Sequence, residues 1–135
     1  MHNRDKTKVW LIFIDIDGMK SINDTFGHSE GDNALTATAN ILKNTFRESD
    51  VIARIGGDEF VVMIAGADEF NGCSIIGRLQ ENLHSHNIFA KKCYRLSLSA
   101  GIVYCDPGES PCSLEVLLKK ADQLMYERKR GRTYH

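Results

Sequence analysis

Seven carboxylates carry the densest chemistry of this 135-residue chain. Asp15, Asp17, Asp24, Glu30 and Asp32 share one stretch, and Asp58 with Glu59 follows a glycine pair more than forty residues beyond Asp15. Carboxylates brought together repel unless a cation joins them. Hard oxygen ligands of this kind suit Mg2+ or Mn2+, ions that also bind substrate phosphates. The plainer reading has Asp15 and Asp17 end a strand and Asp58 fill a turn, and spacing alone leaves both readings open. Bases gather elsewhere: Lys119, Lys120, Arg128, Lys129, Arg130 and Arg132 oppose only Asp122 and Glu127, whereas Lys20 is the sole base between Ile12 and Leu35. The net charge of −1, from 17 Lys and Arg against 18 Asp and Glu, thus hides an acidic region and a basic one.

The elements that must position these groups are legible from periodicity. Val9 to Ile14 is a continuous apolar run ending at Asp15, which suits a central strand covered on both faces. A short helix is expected over 18–26, stopped by Gly27, and a longer one from Ser29 or Glu30, burying Leu35, Ala39, Leu42 and Phe46. Strands over 50–55 and 59–64 flank Gly56-Gly57-Asp58, where paired glycines would supply the positive φ of a tight hairpin. Phe70, Cys73, Ile76, Leu79 and Leu83 mark a further helix, and 95–104 alternates as a strand. Ser113 would cap a last helix with a stripe of Leu114, Leu117, Leu118, Ala121, Leu124 and Met125.

This order predicts an α+β fold with a ferredoxin-like βαββαβ core, a mostly antiparallel central sheet and flanking helices. A right-handed crossover makes the first two strands parallel, and pairing the third strand beside the first would then bring Asp15 and Asp58 together.

Composition bounds the rest. With 42% hydrophobic and 26% charged residues and two prolines, the chain reads as one globular domain over 1–135, not a disordered tail or fibre. Its longest apolar run is far short of the roughly 20 residues of a membrane span, and the N-terminus has no signal-peptide layout. Cys73, Cys93, Cys105 and Cys112 form no C-x-x-C pair and read as reduced cytoplasmic thiols, a Cys105 to Cys112 clip being the alternative. His84 and His86, two apart on a helix, read as surface residues rather than a metal site.

Gly56-Gly57-Asp58-Glu59-Phe60 spells the signature of the GGDEF family of bacterial diguanylate cyclases, and the flanks agree. Asp15-Ile16-Asp17-Gly18-Met19-Lys20-Ser21-Ile22-Asn23-Asp24-Thr25-Phe26-Gly27-His28, then Gly31-Asp32, resembles the family's D-x-D-x-x-K-x-x-N-D-x-x-G-H-x-x-G-D block. Ser99-Ala100-Gly101-Ile102 and Ala121-Asp122-Gln123-Leu124-Met125-Tyr126 resemble later motifs, so the likeness covers about 9–132. A haloacid-dehalogenase-type phosphatase also resembles Asp15-Ile16-Asp17-Gly18, but Met19 and the hairpin fit that family poorly.

The GGDEF resemblance implies a nucleotide-cyclase-like domain that condenses two GTP into cyclic di-GMP and releases two pyrophosphates, each subunit of a homodimer holding one GTP. By motif match, Asp15, the Ile16 carbonyl and Asp58 would bind two Mg2+ or Mn2+ per active site. Asp58 or Glu59 would take the hydroxyl proton, Lys20 would neutralise transition-state charge, and Asn23 and Asp32 would hold guanine beside Leu35. Lys129 and Arg132 would bind the terminal phosphates. Arg47-Glu48-Ser49-Asp50 resembles the family's R-x-x-D inhibitory product site, which Arg78 would support.

Two features depart from the pattern. Only His2-Asn3-Arg4 resembles the segment that usually precedes the first strand, so the chain looks N-terminally shortened, and Lys129-Arg130-Gly131-Arg132 is one residue shorter than K-x-x-G-R. A catalytically weak or silent module that senses cyclic di-GMP or GTP is therefore the alternative. Neither nucleic acid nor direct membrane contact is expected of this domain. A cytoplasmic location is, including as the output domain of a membrane-bound or response-regulator protein.

Overall fold

The computed structural model describes residues 9–65 and 72–105, together with Glu115, Lys119 and Gln123. Its elements are β1 (Val9–Ile16), α1 (Met19–Phe26), α2 (His28–Thr45), β2 (Val51–Arg54), β3 (Glu59–Ala65), α3 (Gly72–Ala90) and β4 (Leu98–Cys105). The strands form one sheet in the order β2-β3-β1-β4, and all three pairings are antiparallel. This is the expected α+β, ferredoxin-like arrangement, with β1 at its centre.

The apolar run of β1 is continuous because both faces of the strand are covered. Ile12, Ile14 and Ile16 point to a core shared with Phe60, Val62, Leu98 and Ala100 from the sheet and Ile22, Ala34, Leu42, Leu79 and Leu83 from the helices. Leu11 and Phe13 point the other way, into a second cluster with Val103. Burying each of the larger of these side chains, the Ile, Leu, Val and Phe, stabilises the fold by roughly 1.5–3 kcal/mol relative to exposure. Trp10 and Tyr104, opposite each other across β1 and β4, bring their rings to 4.4 Å at the far end of the strand from Asp15.

Three expectations change in detail. The buried face of α2 is Gly31, Ala34, Thr38, Ile41, Leu42 and Thr45, so the apolar stripe is rotated, and Leu35 and Ala39 lie at its margin. Apolar spacing could not show this because two members are threonines. Thr38 and Thr45 are buried because their hydroxyls donate to the Ala34 and Ile41 carbonyls at 2.8 and 2.7 Å. The helix also starts at His28, one or two residues earlier than expected.

The hairpin glycines do not take the expected conformation. The positive-φ glycines among the described residues are Gly18 (φ 68°) and Gly27 (φ 96°), not Gly56 or Gly57. Four residues, Ile55 to Asp58, separate β2 from β3, a length at which the chain can reverse without left-handed residues.

The last-helix stripe and its Ser113 cap, Phe70, and the Cys73, Cys105 and Cys112 side chains lie outside the described residues, so the Cys105 to Cys112 clip does too. Glu115, Lys119 and Gln123 are helical and exposed at four-residue spacing. Among the described residues no helix is long and apolar enough to cross a membrane.

Candidate functional site

The end of β1 is held from both sides. Asp15 lies opposite Glu59 on β3 and opposite Ser99 on β4. Directly opposed residues of antiparallel strands share a face, so Glu59, Asp15 and Ser99 form one row across three strands. Asp15 is 8% exposed and Ser99 1%. One residue on, the Ile16 N–H donates to the Asp58 carbonyl at 3.0 Å, and the Asp17 N–H donates to the Ser97 carbonyl at 2.8 Å. A strand residue's N–H and C=O point to the same side, so the Ile16 carbonyl faces the hairpin that carries Asp58. The Asp15 and Asp58 positions are therefore neighbours, as the topology argument expected, and the Ile16 backbone lies between them.

Asp17 has a role that sequence reasoning missed. Its carboxylate accepts from the Ser97 hydroxyl at 2.7 Å and the Ser99 hydroxyl at 2.6 Å, tying the end of β1 to the start of β4. The available signal was the Ser97-Leu98-Ser99 alternation, which puts both hydroxyls on one face of a strand.

Lys20, Asn23, Asp32, Leu35 and Asp58 line a single cleft of about 480 Å3, completed by Met19, Asp24, His28, Arg54 and Gly57. Asp15, Ile16 and Glu59 border it through Asp58 rather than forming its wall. The corner at Gly27 makes this convergence possible. Its N–H closes α1 on the Asn23 carbonyl at 2.9 Å, and its carbonyl accepts from Glu30 at 3.1 Å to open α2. A φ of 96° there is costly for any residue with a Cβ. The last turn of α1, with Asn23, thereby meets the first two turns of α2, with Asp32. A Cβ at Gly31 would overlap the Asn23 amide oxygen, so that glycine keeps the amide in place.

Lys20 pairs with Asp24 at 2.9 Å one turn away, both largely exposed. Exposed pairs of this kind contribute about 0–1 kcal/mol, so the ammonium is readily redirected to an anion entering the cleft. Arg54, which sequence reasoning also missed, donates through Nε to the Gly56 carbonyl at 3.0 Å and through Nη2 to the Gly57 carbonyl at 2.9 Å.

The donor set suits a hard divalent cation. Two carboxylates and a backbone carbonyl are oxygen ligands, and so few protein ligands leave positions for water and phosphate, as Mg2+ prefers. No group of three or more His, Cys, Asp or Glu side chains stands at metal-binding spacing among the described residues. Any cation here would thus lean on the carbonyl and on its substrate.

The other expected residues fall elsewhere. Arg47 and Asp50 form a closed turn: the Arg47 N–H donates to Asp50 Oδ2 at 2.9 Å, and the Asp50 N–H donates to the Arg47 carbonyl at 3.0 Å. The Arg47 side chain takes no part in this turn and is exposed. Asn82 of α3 donates to the Thr45 hydroxyl at 2.8 Å while Lys92, just past the end of α3, pairs with Glu30 near the start of α2, so the two helices run antiparallel and exposed Arg78, one turn before Asn82, lies toward the Arg47 end of α2. Lys129 and Arg132 lie outside the described residues. A larger groove of about 590 Å3 between α2 and α3, lined by Asn40, Asn44, Asn82, Ser85, His86 and Phe89 among others, contains none of the expected site residues.

A polar strap ties the first turn of α2 to the segment before β4. Lys92 Nζ lies 3.1 Å from Glu30 Oε1, and the Tyr94 hydroxyl donates to the same oxygen at 3.3 Å. The hydrogen bond from Lys92 holds the Glu30 carboxyl below its usual range. Partial burial, then the neighbouring Glu30 charge, pushes the Tyr94 hydroxyl up. The Tyr94 ring also lies 5.4 Å from Phe26, the last residue of α1.

Residues 1–134 match the family described as diguanylate cyclase, GGDEF domain. The chain is 40% identical over 130 residues to the probable diguanylate cyclase DgcC of Escherichia coli, covering 96% of this chain and 34% of that protein. It is 30% identical to the E. coli diguanylate cyclase DgcZ, with 96% and 43% covered. The chain therefore spans about a third to two-fifths of the length of these relatives. Among solved structures, an EAL/GGDEF domain protein from M. capsulatus superposes with a TM-score of 0.80 at 37% identity, covering 94% of this chain and 81% of that one. The GGDEF domain of DgcB from Caulobacter crescentus, solved in complex with c-di-GMP, superposes with a TM-score of 0.76 at 25% identity, covering 95% and 75%.

Proposed function

Because the chain belongs to the GGDEF domain family of diguanylate cyclases, we propose that it joins two GTP molecules into cyclic di-GMP, one GTP held by each of two copies of the chain. In each half-reaction the 3′-hydroxyl oxygen of one GTP attacks the α-phosphorus of the other. The bond from that phosphorus to the β-phosphate oxygen breaks, and pyrophosphate leaves. The hydroxyl proton passes to Asp58 or Glu59. Two such steps close the ring and release two pyrophosphates.

The observation that carries this reading is that Lys20, Asn23, Asp32, Leu35 and Asp58, drawn from three separate segments, share one cleft. Asp32 is an acceptor for the guanine N1 and N2 donors, with Asn23 beside it. Adenine would leave that acceptor unpaired, and a site of this type discriminates strongly. Leu35 supplies an apolar contact at the cleft wall. Lys20 gives a cation for the phosphates on exchanging its weak bond to Asp24, and Lys129 and Arg132 are assigned to the terminal phosphates by motif. Asp15, the Ile16 carbonyl and Asp58 would hold two Mg2+ or Mn2+ ions. Such ions, when bound, stabilise both the attacking and the leaving oxygen of phosphoryl transfer. Arg47 and Asp50, with Arg78, form the proposed feedback site for product, where an exposed arginine fork matches phosphate and guanine acceptors.

Incubating the protein with GTP and Mg2+ over a range of protein concentrations tests the reading. Cyclic di-GMP and pyrophosphate should appear in a 1:2 ratio, with a rate per chain that rises with concentration as two copies meet. No product at any concentration overturns it. Tight binding of cyclic di-GMP without turnover would instead favour a sensor module, a second reading that the preformed Arg47–Asp50 turn supports.

A further inference from the structure

Arg54 closes β2, opposite Phe60, and its guanidinium reaches forward to two successive carbonyls of the hairpin, those of Gly56 and Gly57. No peptide bond of the described residues is cis. In a planar trans peptide the N–H of the next residue points opposite to the carbonyl. With the Gly56 and Gly57 carbonyls directed at the guanidinium, the N–H groups of Gly57 and Asp58 must therefore point away from it. Gly57 and Asp58 line the cleft, and nothing lies within 4 Å of where a Gly57 Cβ would stand.

We propose that Arg54 is the positioning residue of this hairpin. Its fork gathers two carbonyl dipoles, so that these oxygens are neutralised by a cation that itself lines the cleft and the turn's N–H groups and the Asp58 carboxylate are left for the nucleotide. A polyanionic substrate needs that arrangement, because carbonyl oxygens facing its phosphates would repel them and amides attract them. Arginine suits the task because it presents rigidly spaced donors, whereas a lysine ammonium is a point charge on a flexible stem. Gly56 completes the device: a Cβ there would sit 3.1 Å from Glu59 Oε1, so the turn is packed tightly against the second acidic residue. Arg54 thus acts on catalysis through the Gly57–Asp58 backbone, a role that rests on the cyclase reading for its substrate but not for its geometry.

The test uses the whole chain, wild type against Arg54→Lys and Arg54→Gln. Backbone 15N relaxation without nucleotide reports the turn directly. The Gly57 and Asp58 amides should have order parameters near about 0.8 in the wild type and below about 0.6 in both variants, with β1 and β3 unchanged. In turnover assays both variants should lose about tenfold or more in kcat/KM for GTP, because the phosphate-facing amides and the Asp58 carboxylate are displaced together. An equally ordered turn in both variants overturns the proposal, as does full turnover by Arg54→Lys. A loss confined to KM with the Gly57 and Asp58 amides as ordered as in the wild type also overturns it, since that would make Arg54 a direct phosphate ligand. A wild type that makes no cyclic di-GMP sinks the cyclase reading alone, and the relaxation measurement still decides the role of Arg54.

Discussion

The carboxylate edge and the Arg47–Asp50 turn are built on opposite principles. At the edge, Asp15 and Asp58 are more than forty residues apart and meet only because β1 and β3 run antiparallel in one register. Their surroundings are shared: Ser97, Ser99, Asp17, Ile16 and Arg54 each hold part of the same assembly through bonds of 2.6–3.0 Å. The turn, by contrast, is closed by two bonds between residues three apart, and its arginine side chain is exposed and takes no part in them. A site made by register is rigid but sensitive to distant changes. A site made by a local turn is tolerant of them.

The largest effect that separates the two should come from Asp58→Asn. It removes one of the carboxylates assigned to metal and should lower cyclic di-GMP formation by at least about a hundredfold. Mn2+ binding measured with GTP should weaken in parallel, while affinity for cyclic di-GMP at the Arg47 turn stays unchanged. Arg47→Ala is the mirror experiment. Calorimetry should find product affinity lowered by more than about tenfold, with initial turnover unaffected and the turn intact, because the turn uses only the Arg47 backbone.

Stability sharpens the contrast. Ser99→Ala removes a buried hydroxyl that Asp17 accepts from and should cost about 1–3 kcal/mol in urea unfolding. Any substitution of exposed Glu48 in the turn should stay within about 0.5 kcal/mol. Gly31→Ala should act more narrowly, pushing Asn23 aside and raising KM for GTP by about tenfold with kcat little changed. The smallest effect is a pH dependence. The folded-state pKa of Glu30 lies below its unfolded value, so its contribution to stability is present above the usual carboxylate range and lost as pH falls through the lowered value. Chemical denaturation of Lys92→Ala and wild type at pH 3 to 7 should show the two curves converging at the acid end.

How legible each part was follows from how it is built. The β1 run, the hairpin strands and the ferredoxin-like order were readable because apolar periodicity reports burial directly. Arg47 and Asp50 were legible only through the resemblance to the family's R-x-x-D site, and the turn that their backbone closes was not. Thr38 and Thr45 were absent from the expected buried face because a hydroxyl that bonds its own helix can be buried, and no apolar pattern announces it. The pair Gly56-Gly57 was read as a source of positive φ, whereas the left-handed glycines are Gly18 and Gly27, set by the corners at either end of α1. Arg54 and Asp17 were missed because their partners lie in a turn and on a strand whose approach depends on the fold.

The sequence by itself determined which residue types are present, where strand and helix periods change, and the motif that marks the family. These are local properties, set by the alternation of side chains along a strand or around a helix. Only the tertiary structure decided that Glu59, Asp15 and Ser99 share one row, that Asn23 meets Asp32 across Gly27, and that one guanidinium gathers two hairpin carbonyls. Each of these depends on register, and register is chosen by the burial of a whole face of the sheet at once rather than by any residue at the site.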